Sequence, residues 1–166
     1  MQKIHSRSRA ETKKIARIFA ASIGVLPRGK GALVVAMDGE LGSGKTAFTQ
    51  DFAHALGVRE RVTSPSFVVM KIYPLPRRKG SGFRRLVHID CYRLAKPHEL
   101  RALGFADMCK DAENIIAIEW AARIKKILPA HAFHLVFSTG THPDERIIHV
   151  DDALRMPPLV NSAPMR

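Results

Sequence analysis

The sequence predicts an α/β domain in which helices flank a mixed parallel and antiparallel central sheet. Short, continuously apolar runs, typical of strands buried on both faces of a sheet, alternate with segments of helical periodicity. Two pairs of these strands are joined by stretches rich in turn residues, which predicts two antiparallel hairpins. The length of 166 residues is enough for one core of ordinary size. We therefore expect a single domain over residues 1–155 and a flexible tail over residues 156–166.

The elements of this domain can be assigned in order along the chain. An amphipathic helix is expected over residues 10–26, followed by a buried strand at 32–37, a glycine-rich turn and a helix at 45–56. Short helices are expected to open at Pro97 and near Met108, and another is expected between Glu119 and Pro129. The remaining strands are expected at 66–73, 85–89, 115–118, 132–138 and 146–150.

The basic side chains are concentrated in two segments of the chain, and together they account for the net charge of +12. Residues 1–30 contain eight Lys and Arg against one Glu, and residues 71–85 contain six without an acidic residue. Residues 74–85 are expected to form the mobile basic tip of the first hairpin. Such clustering is typical of a surface that contacts a polyanion such as tRNA or an acidic protein, although solvated surface charge is an equal alternative.

The sequence favours a cytoplasmic location without a membrane contact. No apolar run approaches the ~20 residues that a membrane-spanning helix needs, and the first residues lack the apolar block of a secretion signal. Cys91 and Cys109 are far apart in sequence, which suggests neither a disulfide framework nor a zinc site. The basic, nearly acid-free first 30 residues also fit a mitochondrial transit peptide, which is the alternative.

Residues 39–46, Gly-Glu-Leu-Gly-Ser-Gly-Lys-Thr, match the P-loop pattern and lie between an apolar strand and a helix, as that pattern requires. Glycines allow successive backbone N–H groups to surround a phosphate, and the helix N-terminus adds partial positive charge. We expect Lys45 to bridge the β- and γ-phosphates and the Thr46 hydroxyl to coordinate Mg²⁺. The residues expected to bind the nucleotide here are Gly39, Glu40, Leu41, Gly42, Ser43, Gly44, Lys45, Thr46 and Ala47.

A P-loop also needs a carboxylate that places the metal ion, usually at the end of a neighbouring buried strand. Asp90 follows the apolar run at 86–89, and Glu119 follows the run at 115–118. Each carboxylate is therefore expected at a sheet edge, where its apolar run ends. The spacing of the two carboxylates in the sequence does not show which of them places the metal ion.

Three further blocks of sequence occur after the P-loop. They are residues 63–67 (Thr-Ser-Pro-Ser-Phe), residues 88–94 (His-Ile-Asp-Cys-Tyr-Arg-Leu) and the pair Glu119-Trp120. In this order, together with the P-loop, they resemble the TsaE family over most of the chain. The resemblance implies a small ATPase with a mixed α/β P-loop fold. Such proteins work with the TsaB and TsaD proteins to form N6-threonylcarbamoyladenosine in tRNA.

The same resemblance implies roles for individual residues. Glu119 and Thr46 would hold Mg²⁺, and Asp90 would be a second acidic residue needed for ATP hydrolysis, so that Lys45, Asp90 and Glu119 are the expected catalytic residues. Thr63 would belong to a switch-like loop near the γ-phosphate, and Thr12 and Trp120 would lie beside the nucleotide. The chain departs from the commoner family pattern at Ser66, at Ala121 and in its longer, more basic segment at 74–85.

Two other functions remain open from the sequence. A P-loop chain of this length also fits a small-molecule kinase, but where such kinases usually have an acceptor pocket and an arginine-bearing lid, this chain has the 63–67 block and a hairpin, which disfavours that function. The basic segments fit an RNA-binding module whose ATPase activity is incidental. The preference for ATP over GTP rests on the resemblance. Because no arginine finger is evident by motif, we expect the isolated protein to hydrolyse ATP slowly.

Overall fold

The computed structural model describes residues 1–24, 26, 29–65, 68–78 and 80–154. The predicted flexible tail lies outside this part of the chain. Among the described residues, no helix combines the length and apolar character needed to cross a membrane. The strands are β1 (Gln2–Ser6), β2 (Leu33–Gly39), β3 (Met70–Pro74), β4 (Arg85–Asp90), β5 (Asn114–Glu119), β6 (Phe133–Thr139) and β7 (Arg146–Val150). The helices are α1 (Arg9–Gly24), α2 (Lys45–Leu56), α3 (Pro97–Ala102), α4 (Phe105–Lys110) and a 3₁₀ helix over Ala121–Ile127.

The strands form one sheet in the order β1-β7-β6-β2-β5-β4-β3. The inner strands β6, β2, β5 and β4 are parallel, whereas β3, β7 and β1 each pair in antiparallel fashion with their neighbours. The predicted mixed sheet and both predicted hairpins, β3–β4 and β6–β7, are confirmed. Because parallel strands present their carboxyl ends at one edge, the P-loop after β2 and the residues that end β4 and β5 meet there.

Alternate side chains of the central strands point to opposite faces of the sheet and contribute to two hydrophobic cores. On one face, Val35 and Met37 of β2 pack with residues of α1 and α2. On the other, Val34 and Ala36 pack with residues of α3, α4 and the 3₁₀ helix. The first core contains four phenylalanine rings with centroids 5.2 to 6.4 Å apart, which join α1, α2 and β6: Phe19, Phe48, Phe52 and Phe137. These contacts hold α2 against the sheet and thereby position the P-loop at its N-terminus.

Local hydrogen bonds determine where the two large helices begin and end. At the start of α1, the backbone N–H of Glu11 donates to Ser8 Oγ, and the Glu11 carboxylate accepts from the backbone N–H of Arg7. Ser8 thus caps the first turn of α1, and the Glu11 carboxylate reaches back to the residue before the cap. At the end of α2, Gly57 has a φ of 100° and its N–H donates to the carbonyls of Ala53 and His54, which stops the helix.

Three elements differ from the sequence-based expectation. Strand β1 was not predicted, because its sole aliphatic residue is Ile4; the strand forms at the sheet edge by pairing Ile4 with Ile148 of β7. Of the strand predicted at 66–73, residues 66 and 67 lie outside the described residues; β3 begins at Met70, because the backbone N–H groups of Val68 and Val69 donate to the Pro65 carbonyl in a turn. The helix predicted between Glu119 and Pro129 is present as the 3₁₀ helix.

Candidate nucleotide-binding site

Residues 39–46 connect the end of β2 to the start of α2 in a turn that glycine alone permits at its first position. Gly39 has a φ of 143°, and a Cβ atom there would lie 2.2 Å from the carbonyl oxygen of Phe137 on the neighbouring strand β6. Gly44, which caps α2, has a φ of 98°. Both conformations are rare for residues with a side chain, so the loop geometry depends on these glycines.

The Gly39→Ala substitution is expected to destabilise the protein by at least about 3 kcal/mol, since left-handed strain adds to an overlap with backbone that cannot move aside. Gly42→Ala is the matched control: its φ is 79°, but no atom lies within 4 Å of the added Cβ. The control is expected to lose only about 1–2 kcal/mol. Urea denaturation measures both losses. Equal stability of the two variants would contradict this interpretation of the loop.

Lys45 is the first residue of α2, and its side chain folds back over the P-loop. Its Nζ donates to the carbonyl oxygens of Gly39 and Glu40, both at 2.8 Å. The side chain is buried, and burial lowers the pKa of Lys45 while the nearby carboxylates of Glu119, Asp38 and Asp90 act in the opposite direction. The ammonium group is therefore held among groups of opposite charge at the mouth of the loop.

A hydroxyl and a carboxylate from distant parts of the sequence meet beside the P-loop. The Thr46 Oγ1 atom donates to Glu119 Oε2 at a distance of 2.6 Å. The other oxygen, Oε1, lies 2.8 Å from Nε2 of His88, whose side chain is fully buried on β4. His88 lies on an apolar strand and is buried as a core residue would be, but its ring also holds the Glu119 carboxylate in place.

Asp90 ends β4 opposite Glu119, its register partner on β5. Its Oδ1 accepts from the backbone N–H of Tyr92, and its Oδ2 accepts from Ser64 Oγ at 2.6 Å. Ser64 belongs to the 63–67 block, of which residues 63–65 are described. The structure thus joins the segment predicted to act as a switch to a carboxylate at the P-loop, through a serine that sequence reasoning did not single out.

Trp120 adopts a left-handed backbone conformation directly after β5, with a φ of 58°. Such a conformation is strained for a residue with a side chain. It places the indole ring 4.0 Å from Lys45 Nζ and 5.1 Å from the ring of Tyr92, measured to ring centroids. A cation over an aromatic face is attracted by the ring electrons, so Trp120 holds the ammonium group from a second side.

These side chains line a cavity of about 520 Å³. Its lining residues are Leu41, Gly42, Gly44, Lys45, Thr46, Ala47, Ser64, Asp90, Tyr92, Arg93, Glu119, Trp120 and Arg146. Two predicted site residues lie elsewhere: Thr63 is exposed beside Ser64, and Thr12 is buried in α1 with its Oγ1 2.8 Å from Ser6 Oγ. Their contacts with a nucleotide stay predictions. Gly39, Glu40 and Ser43 instead contribute the oxygens around Lys45.

Several residues at this edge were missed from the sequence. Asp38 is the penultimate residue of β2, and its Oδ1 accepts from the backbone N–H of Ala122, which fastens the 3₁₀ helix to the P-loop strand. Arg146 begins β7, and its Nη1 donates to the carbonyls of Pro143 and Glu145, so that its side chain lies against Gly44. From the sequence, Asp38 could have been recognised as a carboxylate that follows the apolar run of the P-loop strand. The sequence contains no comparable feature for Arg146, because only the pairing of β7 with its neighbours brings this residue to the site.

The atoms gathered here suit a magnesium–nucleoside phosphate. The α2 N-terminus and the glycine turn present backbone donors, which favour phosphate oxygens. Hydroxyl and carboxylate oxygens are the ligands that Mg²⁺ prefers, and Thr46 Oγ1 and Glu119 Oε2 lie next to each other. A ring face beside a cation adds a surface on which a planar group can stack. These residues can hold a metal ion and a phosphate chain at one edge of the sheet.

Comparison with known proteins identifies relatives of this chain. The sequence profile described as "Threonylcarbamoyl adenosine biosynthesis protein TsaE" matches residues 6–148. Two relatives named "tRNA threonylcarbamoyladenosine biosynthesis protein TsaE" come from Bacillus subtilis and Rickettsia prowazekii. The first is 35% identical over 138 residues, which is 83% of this chain and 77% of the relative. The second is 34% identical over 122 residues, which is 73% of this chain and 75% of the relative.

A solved structure shows the same architecture. The crystal structure of Bacillus subtilis YdiB superposes with a TM-score of 0.64 and 29% sequence identity, covering 93% of this chain and 89% of the other. The mixed sheet with a P-loop at its carboxyl edge is therefore a P-loop NTPase fold, which indicates nucleotide binding. The P-loop, the Thr46–Glu119 pair and the family match over residues 6–148 lead to one conclusion: the chain belongs to the TsaE family of tRNA threonylcarbamoyladenosine biosynthesis proteins.

Proposed function

We propose that this protein is a magnesium-dependent ATPase that acts with the TsaB and TsaD proteins in forming N6-threonylcarbamoyladenosine in tRNA, with ATP binding and hydrolysis as a switch. The single observation that supports it best is the 2.6 Å hydrogen bond between Thr46 Oγ1 and Glu119 Oε2. It joins a P-loop hydroxyl to a carboxylate at the end of the adjacent strand, which is the ligand pair that a P-loop ATPase requires.

Thr46 and Glu119 would hold Mg²⁺, which supplies positive charge beside the phosphates when bound. His88 keeps Glu119 Oε1 engaged, so that Oε2 faces Thr46 and the P-loop. Lys45 would exchange its contacts with the Gly39 and Glu40 carbonyls for phosphate oxygens, and the loop amides would donate to the same anion. These residues therefore bind the phosphate chain and stabilise charge on its oxygens.

Asp90 is the residue we assign to orienting the attacking water. Its carboxylate lines the same cavity as Lys45 and Thr46 and is held by Ser64 and the backbone of Tyr92. In hydrolysis, the water oxygen forms a bond to the γ-phosphorus as the bond to the bridging oxygen of ADP breaks. The link from Asp90 to Ser64 would let the state of the phosphate reach residues 63–65, which is how a switch segment is ordered and released.

Replacing Lys45 by Ala is expected to weaken Mg-ATP binding about tenfold to a hundredfold, because a charge-assisted contact with phosphate is lost. Lys126→Ala, on the exposed side of the 3₁₀ helix, is the control and should bind as the unaltered protein does. Isothermal titration calorimetry with Mg-ATP measures both. No heat of interaction with the folded, unaltered protein would refute nucleotide binding.

The pathway role is tested by reconstitution with TsaB, TsaD, tRNA, ATP and threonylcarbamoyl-adenylate over multiple turnovers. Lys45→Ala, Asp90→Ala and Glu119→Ala should each support less tRNA modification than the unaltered protein, since each removes part of the ATP site. If all four proteins supported equal modification, the switch role would be wrong even if ATP binds.

A further inference from the structure

A row of basic side chains runs along the side of α1 that faces α2. Arg9, Lys13 and Arg17 are spaced by four residues, which places them one above another on the helix surface. Arg9 pairs with Asp51 and donates to the Ala47 carbonyl, near the start of α2. Lys13 and Arg17, further along the row, are exposed. Like charges at this spacing repel each other, so the row lowers the stability of the helix unless an anion lies against it.

The second basic segment reaches the same place. Arg77 and Arg78 lie in the connection between β3 and β4, and Nη2 of Arg78 donates to the carbonyl of Ala55 near the end of α2. Arg17 and Arg78 both line a cavity of about 680 Å³ between α1, the end of α2 and this connection. Two segments some 60 residues apart in sequence therefore form one surface, which we call the basic surface: Lys13, Arg17, Arg77 and Arg78.

The charges of the basic surface are not neutralised within the described part of the chain. Other basic residues of the same two segments have acidic partners: Arg9 pairs with Asp51, and Arg85 pairs with Asp111 and Glu113. For the four residues of the basic surface, no carboxylate among the described residues lies within ion-pair distance. The surface thus offers four cations to a partner from outside the chain.

The charge of the surface favours RNA as that partner. Apolar side chains also line the cavity between Arg17 and Arg78, among them Ile23, Leu56 and Phe83, but no acidic residue of the described part of the chain lines it. A cluster of exposed Lys and Arg without an acidic side chain fits the phosphate backbone of a nucleic acid. Binding of TsaB or TsaD to the same surface is the alternative that the test distinguishes.

We propose that the basic surface binds the phosphate backbone of tRNA. This inference rests on the proposed function for the identity of the RNA. Arg17 and Arg78 of this surface lie near the C-terminal end of α2, whereas the P-loop lies at its N-terminal end, about 18 Å away by the rise of a 12-residue helix. ATP and tRNA therefore bind at separate places and can be tested independently on the same protein.

The test compares two variants of equal net charge. In the first, Lys13, Arg17, Arg77 and Arg78 are all replaced by Gln. In the control, four exposed basic residues on α3, α4 and the 3₁₀ helix, at the opposite face of the sheet, are replaced by Gln: Arg101, Lys110, Lys125 and Lys126. Fluorescence anisotropy with labelled, unmodified tRNA measures affinity from about 50 to 300 mM salt. Calorimetry with Mg-ATP is run on each protein.

In the first variant, the slope of log affinity against log salt is expected to become shallower by about 3 to 4, with about a hundredfold or greater loss of affinity at low salt. The control should keep the slope of the unaltered protein, and both should bind Mg-ATP normally. Equal losses in both variants, no tRNA binding by the unaltered protein, or a loss confined to TsaB and TsaD binding would each overturn the proposal. If the unaltered protein did not bind Mg-ATP, the proposed ATPase would be refuted instead.

Discussion

Replacing Glu119 by Gln is expected to lower the rate of ATP hydrolysis by about 10²- to 10³-fold. Removing one group that stabilises charge in the transition state typically has an effect of this size. The amide is neutral and a weaker magnesium ligand than the carboxylate. It is nearly the same size, and its oxygen can accept from either Thr46 or His88, the two partners of the carboxylate. The variant should therefore fold, and its defect should lie in turnover and in magnesium affinity.

The residue just before β5 provides a control for this substitution. Glu113 immediately precedes β5, at the opposite end from Glu119, and its half-exposed side chain lies 3.6 Å from Arg85. Glu113→Gln should leave steady-state ATP hydrolysis and its magnesium dependence unchanged. If Glu119→Gln hydrolysed ATP as fast as this control at saturating magnesium, the assignment of Glu119 to the metal would be wrong.

Adding TsaB and TsaD is expected to raise ATP turnover by about 10³-fold or more, the range over which a cation supplied in trans acts in other P-loop enzymes. Two features of the isolated chain support this expectation. Arg146 lines the cavity, but its Nη1 donates to the carbonyls of its own turn. Leu41 and Tyr92 at the cavity are 75% and 41% exposed, so a partner that docked on them would exclude water from the P-loop.

Single-turnover and steady-state measurements on the pure protein, with and without the two partners, test this stimulation. TsaB or TsaD added singly separates the contribution of each. Lys45→Ala serves as the negative control, because a contaminating ATPase would not respond to it. Rapid turnover by the pure protein that stays unchanged with both partners would show that the site is already complete.

The parts of the site that were predictable from sequence are those formed by contiguous residues. The P-loop between β2 and α2 is one such part, because its glycines, Lys45 and Thr46 are neighbours in the chain and their backbone geometry follows from local chemistry. Asp90 and Glu119 were predictable as carboxylates that end apolar strands. Their mutual placement was not, because it depends on β4 and β5 being neighbours in register.

Residues that reach the site through strand pairing or packing are harder to recognise as site residues from the sequence. His88 has the pattern of a core residue, and its contact with Glu119 exists only because β4 lies beside β5. Ser64 meets Asp90 across a gap of 26 residues in sequence. Strand β1, with one aliphatic residue, forms because β7 presents an unpaired edge. In each case the stabilising contact is long-range, which periodicity along the chain does not encode.

The sequence by itself determined the α/β class, the alternation of helices with buried strands and the presence of a phosphate-binding turn, because these follow from local periodicity and backbone preferences. Tertiary structure alone decided the strand order, which brings Glu119 to Thr46 and His88 to Glu119. It also brought the two basic segments together at one end of α2. Burial of the two cores on a common sheet is the physical reason, since it selects which strand ends become neighbours.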